Sequence, residues 1–131
     1  MPSKKIEQGW SKAETQIQQG NPQEALEILR EADADATQSK TWRLAGEAKA
    51  VQARLEGNSK RLFKEAVRHY ESALKGNPND KKSRRGLNSL RSEMDGLGIR
   101  AGGMNVFFDD GALRGGSVLA SYKKDAATSR R

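Results

Sequence analysis

Over the first 97 residues the apolar positions recur at intervals of three and four, and turn residues divide them into five stretches. Ile6, Trp10, Ala13 and Ile17 run up to Gly20-Asn21-Pro22, a spacing that predicts an amphipathic helix ended by glycine. Pro22 then opens a second helix reaching about Ala34, because a first-turn residue needs no N–H partner. Its inner face is Ala25, Ile28, Leu29 and Ala32. The polar run Asp33 to Lys40 makes the next turn. A third helix sets Leu44, Ala48, Val51 and Leu55 on one stripe and ends at Gly57-Asn58, where glycine takes the left-handed cap conformation. The fourth runs from about Ser59 to Lys75, buries Phe63, Ala66, Val67, Tyr70 and Ala73 or Leu74, and is closed by Gly76-Asn77-Pro78. The fifth starts near Asn79-Asp80 and carries Leu87, Leu90, Met94 and Leu97, with Gly86 as a weak point in its middle.

From Gly98 the pattern changes. Glycines stand at 98, 102, 103, 111, 115 and 116, and apolar residues cluster instead of recurring. Asn105 to Phe108 and Ser117 to Tyr122 read as two short strands about Asp109-Asp110-Gly111. The rival reading is an irregular arm that uses Phe107, Phe108, Leu119 and Tyr122 to anchor on the helices or on another molecule. The expected organisation is a helical domain over 1–97 and a Gly-rich basic arm over 98–131. The fold class is all-α, with antiparallel helical hairpins stacked side by side.

The second and fourth helices share a pattern. Ala25, Leu29 and Ala32 correspond to Ala66, Tyr70 and Ala73: alanine, a large residue four later, and alanine three after that. Small residues there let helices approach closely, while the large one fills the groove between them. In this the chain resembles the tetratricopeptide repeat family, whose second helix carries such a pattern and often a proline just beyond, where Pro78 stands. Ala13 and Ala50 fall at the family's small position in the first helix, and Gly20 and Gly57 fit its inter-helix turn. The resemblance covers residues 6 to 97, with the fifth helix as the cap of a short tetratricopeptide-like solenoid. It implies a binding scaffold without catalysis. Two repeats fall short of the roughly three needed for independent stability, so the capping helix and the arm are expected to add core.

A chain of 131 residues makes one compact domain. It has no cysteine, which excludes disulfides, thiol nucleophiles and Cys-ligated metals. The N-terminal residues lack the apolar core of a signal peptide, and no stretch approaches the ~18 apolar residues of a membrane span, so a cytoplasmic location with no membrane contact is expected. His69 is the only histidine, and a single imidazole makes a poor metal site. Asp109 and Asp110 are turn residues, and the Gly pairs lack a phosphate-loop context. An enzyme, a cofactor, a metal and a small-molecule substrate are therefore not expected.

The charge carries more information. Net charge is +7, yet residues 1–35 hold 4 basic and 7 acidic residues, so the cations concentrate in the remainder. Arg61, Lys64, Arg68 and Lys75 share one face of the fourth helix; Lys81, Lys82, Arg84, Arg85 and Arg91 crowd the fifth, with Lys81, Arg84, Arg85 and Arg91 read as a second stripe. The arm adds Arg100, Arg114, Lys123, Lys124, Arg130 and Arg131. Two stripes on neighbouring helices would merge into a phosphate-binding surface. The expected function is a basic RNA-binding protein, a component or associated factor of the ribosome or another ribonucleoprotein particle, with structured RNA (ribosomal RNA foremost) and neighbouring proteins as partners. The alternative is a protein–protein adaptor holding an acidic peptide or helix in a concave groove. Where the cations lie separates the two: in the groove for an adaptor, on an outer face for RNA.

Overall fold

The turns expected between the five helices are present in the computed structural model, which describes residues 2–100. Five helices result: α1 (Lys4–Gln18), α2 (Pro22–Ala32), α3 (Ser39–Leu55), α4 (Lys60–Gly76) and α5 (Lys81–Gly96). Side-chain caps set the starts of α1, α4 and α5. Ser3 Oγ accepts from the Ile6 N–H at 3.2 Å, Ser59 Oγ from Leu62 at 3.3 Å and Asp80 Oδ1 from Ser83 at 3.2 Å, each satisfying a donor the first turn leaves free. Gly20 and Gly57 hold φ of 79° and 74° at the ends of α1 and α3, the left-handed region that glycine enters without cost. The expected β-hairpin and the anchors Phe107, Phe108, Leu119 and Tyr122 lie outside the described residues.

The helices pack as successive hairpins, α1 on α2 and α3 on α4, with α2 meeting α3 and α4 meeting α5. In addition α1 touches α3 and α3 touches α5, while α2 and α4 do not meet. Short turns make neighbours antiparallel, so α1, α3 and α5 line one side of the stack and α2 and α4 the other. This is the all-α arrangement of stacked hairpins, with no strand among the described residues.

Being central, α3 is buried on two flanks. Leu44 and Ala48 join Ala13, Ala25 and Leu29 in the core toward the first hairpin. On its opposite flank Gly46 faces Tyr70 and the Ala66 carbonyl, and the buried Ala50 and Ala53 follow it at four and seven residues. A single apolar stripe does not describe such a helix. Leu55, expected in that stripe, is 65% exposed. Leu97, expected inside the fifth helix's face, is 43% exposed just past the end of α5, and the buried Ile99 is tied back by its N–H to the Met94 carbonyl at 2.8 Å.

Gly86 also differs from the expectation of a weak point. A Cβ at 86 would lie 2.6 Å from the Tyr70 ring, and one at 46 would lie 3.2 Å from the same ring. Tyr70 thus fills a slot between two glycines on α3 and α5. Gly9 plays the same part in α1, where a Cβ would collide with Ala32 of α2. All three inner helices carry a glycine where an outer helix comes closest. Gly86→Ala should therefore destabilise by about 1 kcal/mol, overpacking against buried Tyr70 outweighing the ~1 kcal/mol gain in helix propensity. Gly96→Ala, where a Cβ meets nothing, should stabilise by about 0.5 kcal/mol. Urea denaturation of both variants checks the opposite signs.

Candidate functional site

At 100° per residue, the buried positions of α4 (Leu62, Phe63, Ala66, Val67, Tyr70 and Ala73) occupy one half of the helix. Lys64, Arg68 and Lys75 fall diametrically opposite. All three are exposed, and none pairs with a carboxylate among the described residues. Arg61 belongs to the same side but is held by Glu65 at 2.8 Å, which also accepts from Lys49 at 3.0 Å. The Lys49 hydrogen bond, with Arg61 beside it, keeps the Glu65 carboxyl below its usual pKa despite partial burial.

On α5 the core positions are Ser83, Leu87, Leu90 and Met94. Arg84 and Arg91 flank them on the side toward α4, where Arg91 Nη2 meets Glu71 of α4 at 3.0 Å. Arg84 donates to the Pro78 carbonyl at 2.9 Å, which draws it to the α4–α5 turn. Lys81 and Arg85, four residues apart, point away from the core on the open end of the stack. Lys82 does not join them. It lies on the other flank with Glu93, which forms a two-bond pair with Arg54 of α3 at 2.8 Å. Lys81, Arg84, Arg85, Asn88 and Arg91 thus share one side of α5 as the stripe expects, and Lys82 stands apart because residues 82 and 84 are 200° apart. Arg100 is exposed; Arg114, Lys123, Lys124, Arg130 and Arg131 lie outside the described residues.

The central helix of the α1, α3 and α5 side is charged too, but the cations of α3 are matched. Lys40 approaches Glu14 at 3.8 Å and sits 5.1 Å from the Trp10 ring centre; the buried Arg43 meets Glu47 at 2.7 Å; Arg54 meets Glu93. Glu93 is held below its usual pKa, and Arg54 above its own, by their shared hydrogen bonds. The outer helices differ in sign: α2 carries Glu24, Glu27 and Glu31 against Arg30, whereas α4 carries five cations against Glu65 and Glu71. Cations without a carboxylate partner also stand on the first hairpin (Lys4, Lys5, Lys12 and Arg30), but the larger group, with Lys64, Arg68, Lys75, Lys81 and Arg85, is on the outside of the second half of the stack.

No protein family matches the chain, and neither does any curated protein or solved structure. The site is therefore judged on its own geometry.

His69 is a packing residue. Its ring is half-buried and tilted against Trp42, with centroids 5.4 Å apart, and burial, reinforced by Lys49, lowers its pKa. Burial likewise raises the Tyr70 pKa. Among the described residues no three His, Asp or Glu side chains gather as a metal site would need, and no helix is long and apolar enough to cross a membrane. A cleft of 730 Å³ is open and lies where the α1–α2 turn meets the end of α3; carboxamides, Glu24, Glu56 and Leu55 line it, and no nucleophile or imidazole enters it.

One partner, Glu47, escaped sequence reasoning; Glu65, Glu71 and Glu93 are legible as local partners of the basic stripes, but Glu71 takes Arg91 of another helix and Glu93 takes Arg54, outside both stripes. Arg43–Glu47 is an i,i+4 pair that helical spacing signals. The Arg91–Glu71 and Arg54–Glu93 pairs span 20 and 39 residues, and nothing local marks them.

Proposed function

We propose that this chain is a non-enzymatic RNA-binding protein with a tetratricopeptide-like body, working in the cytoplasm within or alongside the ribosome or another ribonucleoprotein particle. The observation that carries the reading is the placement of the unpaired cations. Lys64, Arg68 and Lys75 stand outward on α4, Lys81 and Arg85 on the open end of α5, with Arg84 between them. A phosphate backbone meets such a surface without first breaking ion pairs, and each contact releases condensed counterions. The six Lys and Arg from Arg100 onward favour the same class of partner by charge. The adaptor reading draws less support, because Lys40, Arg43 and Arg54 of α3, the middle helix of the α1–α3–α5 side, are already neutralised by Glu14, Glu47 and Glu93.

Filter binding of a structured RNA across a salt series tests the reading. About six phosphate contacts give a slope of log affinity against log salt of about −5. Binding absent at low salt, or flat with salt, would sink the proposal. Co-sedimentation with ribosomal particles that survives nuclease treatment would point to the adaptor instead.

A further inference from the structure

We infer that the RNA recognised here is double-helical, gripped across its minor groove by the ridge that α4 and α5 form; this rests on the RNA-binding reading above. The shape comes first. α4 faces outward from the side of the stack while α5 closes its end, so the surface turns a corner between them. The Glu71–Arg91 pair spans that corner. Lys64, Arg68 and Lys75 flank it on one side, over about 16 Å of helix axis. Lys81 and Arg85 flank it on the other, on an axis about 8–10 Å away. A ridge whose crest carries the Glu71–Arg91 pair, with Arg84 held at its end by the Pro78 carbonyl, and whose flanks are cationic complements a groove that has a polar floor and a phosphate row on each wall.

The crest chemistry separates RNA from DNA. Glu71 is exposed and uses one carboxylate oxygen on Arg91, and Asn88 is exposed three residues before Arg91. A carboxylate is repelled by phosphate but accepts a hydrogen bond from a hydroxyl. The minor groove of an RNA helix is wide and shallow and displays 2′-hydroxyls, whereas that of DNA is only about 6 Å wide and has none. Glu71 is thus tolerated over an RNA groove floor and unfavourable over DNA.

Aromatic placement argues against single strands. Proteins that hold single strands stack bases on exposed rings. Among the described residues Phe63 and Tyr70 are buried, and the half-buried Trp10 and Trp42 have their indole N–H groups committed to Thr41 Oγ1 at 2.9 Å and the Ala36 carbonyl at 3.1 Å. None lies on the cationic ridge.

Fluorescence anisotropy of the full chain against an RNA duplex of about 16 base pairs, its single strand and the DNA duplex of the same sequence tests this. The RNA duplex should bind at least tenfold more tightly than either competitor. Glu71→Ala should raise DNA-duplex affinity more than RNA-duplex affinity, lowering their ratio at least threefold. A single strand or DNA duplex bound as well as the RNA duplex, or a ratio unmoved by Glu71→Ala, would overturn the inference while leaving RNA binding in place. Failure to bind any of the three would remove the proposed function itself.

Discussion

Reversing the outward charges of α4 in one chain, as Lys64→Glu, Arg68→Glu and Lys75→Glu, should weaken RNA binding at least about a hundredfold at moderate salt and reduce the salt slope by about three. Three phosphate contacts are lost, and three repulsive carboxylates replace them. The fold should survive, since all three side chains are exposed and none pairs with a carboxylate among the described residues. A matched control reverses Lys4, Lys5 and Lys12, which are exposed on α1. Both triple variants take the net charge from +7 to +1, so a bulk-charge effect would weaken binding equally in the two. The interface reading expects less than about a threefold change in the control. Equal losses in a titration against one RNA would show that net charge alone, and not the α4 surface, governs binding.

The contrast between those triples depends on what a sequence can and cannot reveal about a stacked helical protein. Helix limits were legible because their determinants are local: Ser59 and Asp80 cap through their own next turn, and Gly20 and Gly57 end helices with positive φ. The cation face of α4 was legible for the same reason. An outer helix with one buried half must place Lys64, Arg68 and Lys75 together. Periodicity failed on α3, where two buried flanks replace one stripe and leave Leu55 in solvent. It failed on α5 in a different way. Gly86 looks like a defect until the Tyr70 ring is placed against it, and the pairing of Arg91 with Glu71 and of Glu93 with Arg54 follows only once α4 and α3 lie beside α5. Each of these depends on which helix comes to lie beside which, information that resides in contacts far apart in the chain.

The same dependence on distant contacts gives Asp33 the largest expected effect on stability. Asp33 follows α2 and is buried. Its carboxylate accepts from the Thr37 N–H at 3.0 Å, the Thr37 hydroxyl at 2.9 Å, the Gln38 N–H at 3.2 Å and the Thr41 hydroxyl at 2.7 Å. Thr41 Oγ1 in turn accepts from the Trp10 indole at 2.9 Å. One side chain thereby joins the end of α2, the turn between the hairpins, the start of α3 and, through Thr41, α1. Burial alone would raise the Asp33 pKa, but the donors from Thr37, Thr41 and Gln38 outweigh it and hold the carboxyl below its usual value. Asp33→Ala should cost about 3–4 kcal/mol, since it removes charge-assisted hydrogen bonds and leaves the buried Thr41 hydroxyl short of an acceptor. In a body of this size that lowers the thermal midpoint by more than about 12 °C. Asp33→Asn keeps one acceptor oxygen and should lose less. Because the folded pKa is depressed, the charged form contributes stability above the unfolded value near 3.8, and that contribution disappears as pH falls through the lower folded value. Asp33→Asn should therefore flatten the acid limb of stability below about pH 4, while Asp80, Glu65 and Glu93, also depressed, keep some of the slope. A double-mutant cycle with Thr41→Val isolates the network: a coupling of about 1–3 kcal/mol is expected, and additive losses would mean that Asp33 and Thr41 act independently of the bond between them.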